Sequence, residues 1–77
     1  MNRQLYTIAK EISQDWGDKV TYGAKPYLMA MHSLGSVEEN YHYDDGSSIV
    51  RYFLSNATSW RGDVARRVKI ELNNLIK

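Results

Sequence analysis

The sequence predicts an all-α domain, a compact small bundle of three longer helices and one short one. Three observations carry this: apolar residues recur at helical spacing in four segments, glycine or proline punctuates the segment ends, and no extended run is long enough to build a sheet. Length sets the scale. A 77-residue chain makes one domain, here 1–77, and a domain of this size buries only about 60% of its unfolded surface. Every large apolar residue is therefore needed for the core.

Leu5, Ile8, Ala9, Ile12 and Trp16 fall on one helical face with Lys10, Glu11 and Asp15 turned away, which predicts a helix over residues 3–16 that Gly17 ends. Asp18 to Gly23 has β-like composition but too few residues before a glycine, and reads as a loop. Pro26 suits a first helical turn, and Tyr27, Leu28, Met31 and Leu34 follow at helical spacing until Gly35, giving the short helix over 25–34. Ser36-Val37-Glu38-Glu39 has the capping-box pattern without a periodic run behind it, so a single turn is expected. The segment 41–46 reads as a connecting loop, with Asp45 or Ser47 placed to cap a third helix whose face is Ile49, Val50, Phe53, Leu54 and Ala57. Asn56 to Ser59 breaks the pattern, Thr58 and Ser59 are good N-caps, and the last helix continues through Val64, Ala65, Val68, Leu72, Leu75 and Ile76. Trp60 is expected at the joint of these two helices.

Composition excludes several functions. The chain has no cysteine, which removes disulfides, thiolate metal sites and a cysteine nucleophile together. Its apolar runs fall far short of the roughly 20 residues that span a bilayer, and Met1-Asn2-Arg3-Gln4 lacks a signal-peptide apolar region. A cytoplasmic protein without a membrane partner is expected. Ten Lys and Arg against nine Asp and Glu give a net charge of +1, so any electrostatic partner is addressed by a local patch.

That patch is on the last helix. Arg66, Lys69, Asn73 and Lys77 are expected to project away from the apolar face with Ile70 among them, while Arg61 and Arg67 flank it. Asp63, Arg67 and Glu71 stand at four-residue spacing, so the first reading is a solvated face of internal pairs; the second is a phosphate-contacting surface. Ile70, set among cations, suits the centre of a protein interface or a homodimer contact. Tyr41 and Tyr43 lie in an acidic loop with Glu38, Glu39, Asp44 and Asp45. The loop lacks the alternating oxygen ligands and central glycine of a calcium loop, and His32 and His42 lack zinc-site spacing, so no metal and no cofactor are expected. Tyrosines in loops favour binding over catalysis, or stacking on single-stranded bases. No Ser-His-Asp arrangement, phosphate-cradling glycine loop or paired carboxylates on one element appears, so an enzyme is not expected.

The segments Gly23-Ala24-Lys25-Pro26-Tyr27-Leu28-Met29-Ala30-Met31 and Tyr52 to Arg67 resemble small uncharacterised proteins encoded by bacteriophages and mobile elements, over about two thirds of the chain. The resemblance implies a viral or prophage origin and action inside a bacterial host. Such proteins commonly bind and disable a host protein, CRISPR effectors included, or attach to DNA. Carried to this chain, it implies a non-enzymatic accessory protein that binds a host or viral macromolecule, a protein first and DNA or RNA as the alternative.

Overall fold

The computed structural model describes residues 2–77. The first helix, α1 (Leu5–Trp16), starts without a side-chain cap at Gln4. Its first N–H groups are instead taken by main-chain carbonyls from far along the chain: Leu5 N–H donates to Gly35 O at 3.0 Å and Tyr6 N–H to Leu34 O at 2.9 Å. This contact explains two departures from the expected boundaries. α1 begins at Leu5 rather than residue 3, and the second helix, α2 (Lys25–Met31), stops before Leu34 because residues 32–35 leave the helical path to cap α1. Gly17, with φ +62°, ends α1 as expected, and one 3-10 turn (Gly17–Lys19) follows.

The expected loop at 41–46 is a correction. Two short strands, β1 (Asn40–Tyr41) and β2 (Asp44–Asp45), pair antiparallel with Asn40 opposite Asp45 and Tyr41 opposite Asp44. His42 opens the two-residue turn at φ +58°, a conformation more often supplied by glycine. Single-sequence periodicity misses a ladder of two residues per strand, since alternation needs a longer run to register. The helix α3 (Gly46–Ser55) begins directly after it, capped by Asp45, whose Oδ1 accepts from Ser48 N–H at 2.7 Å. Gly46 is buried there because a Cβ would stand 2.7 Å from the main chain of Val37 and 2.8 Å from Ser36 O.

The last helix, α4 (Asp63–Leu75), starts later than the periodicity implies. Gly62, at φ +116°, occupies the N-cap position, so Thr58 and Ser59 do not cap it. Trp60 therefore sits in a folded linker, not in a helix. Around these elements lies one core, in which Ile8, Ile12, Met31, Val50, Phe53, Val68 and Leu72 are fully buried, and no polar or charged side chain is buried among the described residues. The Cα radius of gyration, 11.1 Å, is close to the roughly 11.5 Å of a compact domain this long. The fold is compact and mostly helical.

Candidate interaction surface

Trp60 organises the linker. Its ring stacks on Trp16 at 5.7 Å and 19° and meets Phe53 edge-on at 6.3 Å, while its Nε1–H donates to Asp15 Oδ2 at 2.9 Å. The turn that presents the ring leaves carbonyls at Ala57 and Trp60 facing α4. Lys69 satisfies both, donating from Nζ at 2.8 and 2.7 Å. Burial, and then the Arg61 charge, hold the Lys69 ammonium below its usual pKa. Lys69 thus corrects the expectation of a solvent-directed cation: it ties the linker to α4.

Arg67 is also committed internally. It pairs with Glu11 of α1, and Arg3 reaches Glu71 through two hydrogen bonds of 2.9 and 2.7 Å. Arg3 Nη2 also lies 2.8 Å from Glu11 Oε1, close enough for ion pairing but without hydrogen-bond alignment. The Glu11 carboxyl is held below the usual range, first by its hydrogen bond from Arg67 and next by Arg3, against burial that acts the other way. Sequence spacing suggested Asp63 or Glu71 as partner of Arg67; the folded chain pairs Asp63 with Arg66 at 3.4 Å instead. Nothing at a separation of 56 or 68 residues announces these pairings in the sequence.

Arg61, Arg66 and Ile70 remain on the surface. Arg61 makes no ion pair or side-chain hydrogen bond among the described residues, Arg66 holds only its exposed pair with Asp63, and Ile70 is 58% exposed. Arg61 and Arg66 border an open, shallow depression with Trp60, Gly62, Ala65 and Lys69.

Tyr41 and Tyr43 are not part of this surface. α4 runs back along α1, so that Trp60 meets Asp15 at one end and Glu71 meets Arg3 at the other. The β1–β2 hairpin is anchored near the second end, where residues 35–38 and 75–77 line a common groove. Arg61 and Arg66 stand at the first end. Tyr41 packs partly against the core, edge-on to His42 at 4.5 Å, whereas Tyr43 is fully exposed at the hairpin tip.

The chemistry available is limited. Ser13 Oγ and His32 Nε2 stand 3.0 Å apart at the surface, but no acid orients the imidazole among the described residues, and the pair reads as a bridge between α1 and α2. Among the described residues no three His, Asp or Glu side chains are grouped to hold a metal ion, and no helix is long and apolar enough to cross a membrane. No protein-family model, curated protein or solved structure matches the chain.

Proposed function

We propose that this chain is a non-enzymatic accessory protein of the phage type that binds a host or viral protein through the outward face of α4. The observation that carries the reading is Ile70, a large aliphatic side chain 58% exposed at the middle of that face, with Arg66 one turn before it. An apolar centre with an arginine beside it has the composition of a small interface core. Inhibition of a host defence system inside the bacterial cell is the role that the resemblance of residues 23–31 and 52–67 to phage proteins suggests.

The test is affinity capture from bacterial lysate with the wild-type chain and with an Arg66→Glu, Ile70→Asp double variant, both positions being exposed. A protein retained by the wild type and lost by the variant is the expected result. Identical recovery by both sinks the reading.

The unpaired Arg61 next to Arg66 supports a second reading, contact with DNA or RNA. With Lys69 and Arg67 engaged internally, two arginines form that patch rather than four cations, so the interaction is expected to be weak. Titration of labelled duplex and single-stranded DNA decides: binding that falls steeply with salt and is lost in Arg61→Ala, Arg66→Ala supports the nucleic-acid reading, and no binding at low salt removes it.

A further inference from the structure

The opposite flank of α1 carries a groove that the α4 surface does not involve. It lies between the end of α1 and α2, is lined mainly by apolar surface from Val20, Leu28 and Met29, and has Lys25, Ser13 and His32 at its margins. Met29 is 67% exposed. The groove measures about 240 Å³, below the roughly 300–1,000 Å³ of small-molecule sites, and suits a single large side chain. Its rim is basic: Lys25 lines it and Lys10 stands one turn before Ser13 on α1, while Lys19 lines a separate depression with Asp15, Trp16, Trp60 and Arg61. Both rim lysines are exposed, and neither side chain makes an ion pair or hydrogen bond among the described residues. Asp18 is the one acid beside them whose carboxylate is not already engaged, since Glu11 pairs with arginines and Asp15 with Trp60.

The complementary shape and charge exist elsewhere on the same chain. Tyr43 projects fully exposed from the tip of the β1–β2 hairpin, between Glu38 and Glu39 on one side and Asp44 and Asp45 on the other. Glu38 and Asp44 have no side-chain partner among the described residues, and the segment 38–45 contains no lysine or arginine. The hairpin cannot reach its own groove. It is fixed to residues 36–39 by hydrogen bonds from Gly46 N–H to Glu39 O and Ser47 N–H to Val37 O. That turn is anchored at the start of α1, about 12 Å or more from Ser13 and Gly17 along the helix.

We infer that the acidic hairpin of one copy docks on the basic-rimmed groove of a second, with Tyr43 in the groove and Lys10 and Lys25 facing the hairpin carboxylates. The Ser13–His32 pair at the margin offers the phenol hydroxyl a partner. The contact is heterologous, hairpin to groove, so a docked pair still has one free groove and one free hairpin, and association continues into rings or short chains. It does not depend on the α4 face.

Sedimentation of the full chain tests this, from about 10 μM to 1 mM, where contacts of modest area become populated. Mass average is expected to rise with concentration and to fall back as salt is raised. Tyr43→Ala and Met29→Glu, both at exposed positions, are each expected to be monomeric with unchanged circular dichroism. Mixed together, these two variants are expected to form a heterodimer and nothing larger, because one still has a groove and the other still has a hairpin tyrosine. Ile70→Asp is expected to associate like the wild type, which separates this contact from the α4 surface. A strict monomer at 1 mM, association that survives both variants, or no recovery on mixing overturns the inference.

Discussion

The two flanks of α1 use charge in opposite ways. Toward α4, Arg3, Glu11, Arg67 and Glu71 pair with one another, Asp15 holds the Trp60 indole and Lys69 caps two carbonyls, so nearly every charged group has an internal partner. Toward α2, one Ser13–His32 contact bridges the helices, and Lys10 and Lys25 are left to solvent beside an apolar groove. Counting basic residues on a helix therefore does not locate a binding surface. What matters is which cations the fold has already engaged.

The largest effect that breaks this contrast is expected at Trp60. Replacing it with alanine removes the stack on Trp16 and the contact with Phe53, frees Asp15 and empties the centre of the closed flank. A loss of about 3–5 kcal/mol in urea unfolding is expected, enough to unfold much of so small a domain. Gly46→Ala comes next. Its Cβ meets main-chain atoms of Ser36 and Val37, which cannot swing aside as a flexible side chain would, so about 1–3 kcal/mol is expected, with loss of the hairpin's fixed position.

Much of the closed flank's core was legible in the sequence, and little of its polar chemistry was. Leu5, Ile8, Ile12, Trp16, Val68 and Leu72 declare their faces by periodicity, because burial acts on every turn of a helix. Residue type and place narrow the α3 cap to Asp45 or Ser47, and the fold uses Asp45. Lys69 and Arg67 do not declare themselves. Their partners, the Ala57 and Trp60 carbonyls and Glu11, depend on how the linker folds and how α4 lies on α1, and no local pattern encodes either. For the same reason Tyr41 and Tyr43 were grouped in sequence yet differ in the fold, one half-buried and one free.

A smaller effect is expected from pH. Glu11 is ionised more readily in the folded chain than in the unfolded one, so the unfolded chain binds more protons around the carboxyl's ordinary value of 4.5. Its stabilisation is complete above that value and is lost as pH falls through the lower folded value. Glu11→Gln is expected to cost about 1 kcal/mol at pH 7, and the gap between variant and wild type is expected to close on acidification. A gap that stays constant down to pH 2 would show that the ion pairs contribute nothing. The smallest effects belong to the exposed lysines: Lys10→Ala, Lys19→Ala and Lys25→Ala are each expected to change stability by no more than about 0.5 kcal/mol, because no side chain among them has a partner to lose.

The contrast itself is read most directly by limited acetylation of the native chain at neutral pH, quantified lysine by lysine with mass spectrometry. Lys10, Lys19 and Lys25 are expected to react first, and Lys69, bonded to two carbonyls beside the Trp60 ring, several-fold more slowly until the chain is denatured. Lys69 reacting as fast as those three in the native chain would contradict the account.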